Sequence, residues 1–291
     1  IIEEEKTPAV LNNEFVRYTF TKYGGGIKKV EMVERDSHGK FKYPKEIGKK
    51  GSDVRLVDMN LDRGRLPLLA FEPSRQAQVS SAPNSPRPYQ DKHLGYSTYN
   101  VSKTGNSVVF TAPVTAVSSQ GQIIGRWKVK KVFTLGKGYL LQAVVTVSND
   151  SNSTLPERDF YLVSGTAHEP LSKSRMMGMG YGTMWFNGDE EESVGSGWFD
   201  NKPLGCVCIP GGNPRNNFQG GSGNVKWLGA YSRFFIQAVI PEKQGLAVNI
   251  NKFRLQSLTP KEAAKYDIKV TNNQMAYETT LKVRVGEMAP G

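Results

Sequence analysis

Between residues 224 and 242 the chain reads NVKWLGAYSRFFIQAVIPE, which crowds Trp227, Tyr231, Phe234 and Phe235 together and then stops at Pro241. Taken as a strand, RFFIQAVIP puts Phe234, Ile236, Ala238 and Ile240 on one face and Phe235, Gln237 and Val239 on the other, because successive side chains of a pleated backbone point to opposite sides. A helix this short, ended by proline, would spread the same residues around its circumference. One face is wholly apolar and the other mostly so. Burial on both faces marks a central strand of a sheet packed on a second layer. The core expected here is Trp227, Tyr231, Phe234, Phe235, Ile236, Ile240 and Pro241, with an exposed aromatic docking patch as the alternative.

Segments of this kind recur along the chain. FVRYTFTKYGGGIKKVEM reads as strand, glycine turn, strand, with Gly24 to Gly26 free to take positive φ at the turn. No helical pattern follows the three glycines, so they make a poor phosphate cradle. NSVVFTAPVTA, GRWKVKKVFTL and YLLQAVVTVSND follow at short spacing, and YETTLKVRVGE closes the chain as a strand. With 30 glycines and 16 prolines among 291 residues, turns are frequent and helical patterns scarce. One helix is expected at LTPKEAAKYDI, where Thr259 would cap it, Pro260 opens it and Glu262 returns the cap. The reading is a mostly β chain forming one domain over 1–291, with long loops around 34–52, 72–95 and 187–224.

In GRWKVKKVFTL, Arg126, Lys128 and Lys130 share one face while Trp127, Val129 and Phe133 share the other. The first face is a wet, cationic strand face, and its functional alternative is an anion-recognition stripe. The whole chain carries 38 Lys and Arg against 27 Asp and Glu, a formal charge of +11. Nucleic acid and anionic lipid head groups are the partners such an excess suggests, and nucleic acid rests on charge alone. In the glycine-rich middle, Trp185, Phe186, Trp198 and Phe199 either line a ligand cleft or cap the end of a sandwich.

Reactive chemistry finds little support. Cys206 and Cys208 lie on one side of a strand, but a structural zinc site needs about four ligands and the nearest histidine, His168, is remote. They read as small buried residues, with a strained disulfide as the alternative; no metal or cofactor is expected. His38 and His93 sit in loops, and His168 with the adjacent Glu169 is the one pairing of interest, although neighbours along a strand point to opposite faces. No G-x-S-x-G, H-E-x-x-H or P-loop pattern occurs. An all-β body of this size can still host sugar chemistry of the aldose-epimerase class, which uses a His acid and a late carboxylate base. No apolar run approaches the roughly 18 residues of a membrane-spanning helix. The start at Ile1 without a methionine suggests a portion of something longer.

Four segments, FVRYTFTKYGGGIKKVEM, WKVKKVFTLGKGYLLQAVVTVSNDSNSTL, VKWLGAYSRFFIQAVIPE and TTLKVRVGE, together resemble the large periplasmic domain of the YidC membrane-protein insertase family. The resemblance implies a large two-layer antiparallel β-supersandwich, galactose-mutarotase-like in shape, with one or two short helices. It implies a non-catalytic domain on the periplasmic side of the bacterial inner membrane, assisting insertion through contacts with the Sec translocon or accessory subunits, nascent membrane proteins or lipid. Arg126, Lys128 and Lys130 would then meet lipid or partner. A carbohydrate-binding or sugar-epimerase-like enzyme of the mutarotase-like superfamily is the alternative.

Overall fold

The computed structural model describes residues 5, 7–47, 54–56, 66–72, 95, 97–117, 123–168, 180–201, 212–232, 234–255, 259–265 and 275–291. In chain order its elements are β1 (Val10–Asn12), β2 (Val16–Thr21), β3 (Gly26–Met32), β4 (Pro44–Ile47), β5 (Val54–Leu56), β6 (Phe71–Glu72), β7 (Asn100–Thr104), β8 (Ser107–Val117) and β9 (Ile123–Leu135). There follow β10 (Leu141–Asn149), β11 (Arg158–His168), β12 (Tyr181–Phe186), β13 (Glu191–Gly195), α1 (Ser196–Asp200), β14 (Asn217–Gly220), β15 (Trp227–Ser232), β16 (Phe235–Val239), β17 (Ala247–Arg254), α2 (Pro260–Lys265) and β18 (Met275–Val285).

The chain is mostly β and its sheets are antiparallel, as expected. The finer expectation needs correction. Instead of a supersandwich of two large layers, the strands part into sheets of order β1-β2-β3, β10-β9-β8-β7, β14-β17-β18-β11-β6 and β13-β12-β15-β16, with β4-β5 as a separate ribbon. The four larger sheets are read as a four-blade, propeller-like arrangement. The expected loop at 187–224 contains β13, α1 and β14, and the one at 34–52 contains β4. Most of 72–95 lies outside the described residues, as do Cys206, Cys208, His93 and Glu169. No helix among the described residues is long and apolar enough to cross a membrane.

Two aromatic cores hold the sheets together. In the first, Phe20 of β2 meets Phe133 of β9 at 5.1 Å and Phe110 of β8 at 6.0 Å between ring centres. Each such side chain contributes roughly 1.5–3 kcal/mol by leaving water. The turn between β2 and β3 brings this core close to the backbone: Gly24 and Gly25 both have positive φ, and a Cβ on Gly25 would stand 2.7 Å from the Tyr99 ring. In the second core, Trp185, Phe199, Leu228, Val248, Ile250 and Leu281 lie between β12-β15 and β17-β18. There a Cβ on Gly165 would come within 2.8 Å of the Ala230 Cβ, so glycine is what lets β11 approach β15.

Candidate functional site

On β9 the alternation read from the sequence is present. Trp127, Val129 and Phe133 are buried, while Arg126, Lys128 and Lys130 are exposed. These three cations make no ion pair among the described residues; Thr146 and Ser148 of β10 stand across from Lys130 and Lys128. Sequence reasoning missed Lys131. By parity it belongs with Trp127 and Phe133, and it is fully buried in the first core. Its ammonium donates to the carbonyl oxygens of Gly24 (2.8 Å) and Leu69 (2.7 Å), and it lies 4.9 Å from the ring centres of both Phe71 and Tyr99. Burial pulls its pKa down to about 7.

The aromatic residues of the glycine-rich middle divide between two sides. Trp185 is buried, donates its indole N–H to Glu192 Oε1 at 3.2 Å and packs on Phe218 at 5.6 Å. Trp198 touches Phe199 and Phe218, both at 5.0 Å, and Phe199 reaches Tyr277 at 4.7 Å. These three are therefore joined in packing around Phe218 and Tyr277. Phe186, one residue beyond Trp185, falls on the opposite face of β12, with Lys226 Nζ 5.9 Å from its ring centre.

The residues expected as interior glue at 227–241 require a correction. Phe234 is 75% exposed, Ile240 76% and Ile236 46%, while Trp227, Tyr231, Phe235 and Pro241 are half-buried. The physical reason is which face of the sheet is packed. The opposite face of β15 and β16 packs on β11, with Ala230 against Gly165 and Gln237 bonded to Ser164 O, so the side of Phe234, Ile236, Ala238 and Ile240 looks away from the second core.

Six buried polar side chains gather on one face of the five-stranded sheet. Thr279 of β18 points toward β12, where its hydroxyl bonds that of Thr183, and Gly165 of β11 abuts Ala230 of β15. Strand alternation then turns Glu278 and Thr280, with Thr166 and His168, to the other side. The register sets Thr166 directly across from Glu278, and Glu278 across from Asn251. It likewise sets Thr280 across from Asn249. All six of Thr166, His168, Asn249, Asn251, Glu278 and Thr280 are buried. Thr166 Oγ1 and Asn249 Nδ2 have no hydrogen-bond partner among the described residues. At the edge strand β14 the same face continues into exposed Asn217 and Gln219, paired with Asn251 and Asn249.

A sheet normally buries apolar side chains. Here part of a buried face carries amides, hydroxyls, one imidazole and one carboxylate, bordered on the same side by the apolar pair Phe253 and Ala276. His168 sits one diagonal step from Glu278, a separation of about 7–8 Å between strand positions that is within reach of long side chains. Among the described residues no cluster of His, Cys and acidic side chains could hold a metal ion. Of this group sequence reasoning named His168 alone. Glu278 announced itself only as an acid set in the apolar and hydroxyl strand AYETTL, and 110 residues separate it from His168.

No family model matches the chain, and no curated protein does. Among solved structures, a galactose mutarotase related enzyme from Lactobacillus acidophilus aligns with 97% of this chain and 96% of its own at 8% identity and a TM-score of 0.40. A galactose mutarotase-like protein from Lactobacillus casei aligns over 97% and 98% at 12% identity and 0.39. A 4-alpha-glucanotransferase from Thermococcus litoralis aligns over 98% of this chain and 37% of its own at 11% identity and 0.39. The resemblance to the YidC insertase family is corrected by these findings, since no insertase is among the matches described and no family model supports one. The insertase function falls with it, as does the expectation of a chain that is not an enzyme.

Proposed function

We propose that the chain binds a sugar on the buried polar face of β17, β18 and β11 and catalyses acid–base chemistry on it, as an aldose-epimerase-like enzyme. The observation that carries this reading is the placing of His168 and Glu278 on one face, one diagonal step apart, among Thr166, Asn249, Asn251 and Thr280. A polyhydroxyl ligand needs many donors and acceptors at fixed spacing, and side-chain amides and hydroxyls supply both. The two groups that can carry a proton then act at the reacting atoms. Glu278 takes the proton of the anomeric hydroxyl as the bond from C1 to the ring oxygen breaks, and His168 gives a proton to that ring oxygen. The open-chain aldehyde turns about the bond from C1 to C2. It closes again as each proton returns, so the sugar's anomeric configuration is exchanged with no net gain or loss of atoms.

Positioned acid–base groups contribute roughly a hundred- to ten-thousand-fold in rate. The test is polarimetry on freshly dissolved α-D-glucose and α-D-galactose with the wild-type chain, Glu278→Gln and His168→Asn. Acceleration by the wild type, reduced at least a hundred-fold in either variant with an unchanged circular dichroism spectrum, is the expected result. A wild type that accelerates neither sugar and shows no saturable quenching of tryptophan fluorescence by them would remove the reading; saturable quenching without acceleration would leave a sugar-binding face and remove the chemistry.

A further inference from the structure

The exposed stripe on β16 is built to be covered. Ser232 and Phe235 pair across a connection of two residues, so they form the hydrogen-bonded closing pair of the β15–β16 hairpin. Hydrogen-bonded and non-hydrogen-bonded pairs alternate from there, which makes Tyr231↔Ile236 and Gly229↔Ala238 the non-hydrogen-bonded ones. The backbone N–H and C=O groups of Ile236 and Ala238 therefore point away from β15, to the free side of the sheet. That side is the sheet's terminal edge.

Free edges in natural proteins are blunted by charge, by proline or by a bulge. FIQAV carries no charged side chain and no proline, and its pairing with β15 runs without a register shift. The inner face of the same strand is closed, with the Phe235 ring 5.5 Å from Tyr43 and Gln237 Nε2 donating to Ser164 O at 2.9 Å. Among the described residues only the outer face and the backbone edge are open. Over Gly229 the Ile236 side chain lies flat, because a Cβ there would meet Ile236 Cδ1 at 2.8 Å; the outer face is thus low and continuous from Ile236 toward Tyr231.

We propose that β16 pairs antiparallel with β16 of a second copy of this chain, about a two-fold axis at Gln237. The strand's own pattern selects that partner. A two-fold axis at Gln237 sets Phe234 against Ile240 of the copy and Ile236 against Ala238 of the copy. Every exposed apolar residue of the stripe then faces another, and the outward-pointing backbone groups of Ile236 and Ala238 satisfy each other in both directions. No residue from Phe234 to Ile240 carries a charge. The result is a continuous sheet of eight strands with isologous contacts, the commonest symmetry of soluble oligomers.

The test is sedimentation velocity across a concentration series for the wild-type chain, Ala238→Pro and Ile240→Lys. Proline at 238 removes a donor that points to the free edge, so the hairpin's own bonds to β15 remain. Ile240 lies outside the strand pairing with β15 and is already in solvent. The wild type is expected to reach the mass of two protomers as concentration rises, and both variants to stay at the mass of one with unchanged circular dichroism and thermal midpoint. A wild type at the mass of one protomer throughout, or a dimer that both variants leave intact, would overturn the proposal.

Discussion

The ammonium of Lys131 lies 2.7 Å from the carbonyl oxygen of Leu69, a residue whose own φ of 59° turns that carbonyl into the core. A lysine with two carbonyl acceptors and two aromatic faces, buried from water, meets part of its need for partners but gains no full negative charge among the described residues. Desolvation accordingly dominates and draws the pKa from 10.5 to about 7.

From this follows a dependence of stability on pH. Between pH 7 and pH 10.5 the unfolded chain holds a proton on Lys131 that the folded chain has released. The unfolded state binds more protons there, so stability rises with pH through that window, by up to about 1.4 kcal/mol per unit, and the penalty is fully present below pH 7. Urea unfolding at pH 6 to 9.5 should show the wild type gaining on Lys131→Met as pH increases. Parallel curves for the two would show that Lys131 titrates alike in both states.

At the neighbouring turn, Gly25 has φ of 55°, and the three nearest atoms to an added Cβ all belong to the Tyr99 ring, at 2.7 to 2.9 Å. Tyr99 cannot withdraw freely, since its ring also stands against Lys131 and Phe110. Gly25→Ala combines a strained backbone with overpacking and should destabilise by about 2–4 kcal/mol. Gly39 provides the control: its φ is 74° but nothing lies within 4 Å, so Gly39→Ala should cost about 1 kcal/mol. Equal midpoints for the two variants in chemical denaturation would refute the role given to the Tyr99 ring.

Reversal of Arg126, Lys128 and Lys130 to Glu should leave the thermal midpoint within a few degrees of wild type. The three side chains are exposed, and β9 is held from its other face by Trp127, Val129 and Phe133. Surface changes away from caps and cores move stability by about 0.5 kcal/mol each at most. A collapse of the fold in differential scanning calorimetry would mean that this face carries packing its exposure does not reveal.

Local periodicity revealed which residues share a face, and the structure agrees wherever one strand suffices. The turn at Gly24–Gly26, the inward Trp127, Val129 and Phe133, and the helix opening at Pro260 were all legible, the last with Ala263 N donating to Thr259 O at 3.0 Å. Whether a face is covered depends on how the sheets pack on one another, which no local pattern encodes. Phe234, Ile236 and Ile240 alternate as a buried strand would, yet it is the opposite side that packs on β11 and they stand in water. Lys131 shows the converse, a cation on the inward parity that its neighbour Lys130 disguised as part of a basic run. The placing of His168 diagonally to Glu278 was equally hidden, because it arises from the register of β11 on β18 and not from any motif.

The hydroxyls of Thr183 and Thr279 bond each other between β12 and β18, where both side chains are wholly buried. Removing one hydroxyl strands the other without water, which costs about 1–3 kcal/mol, whereas replacing both with methyl groups of the same shape is close to neutral. Thr183→Val and Thr279→Val should therefore each destabilise, and the double variant should recover most of the loss. A double-mutant cycle from urea unfolding measures the coupling directly, with at least about 1 kcal/mol expected for residues in contact. Additive losses would mean that each hydroxyl bonds a different partner. The two sheets would then be joined by the bond from Gln237 to Ser164 O and by packing of Ala230 against Gly165 and Tyr181 against Tyr277.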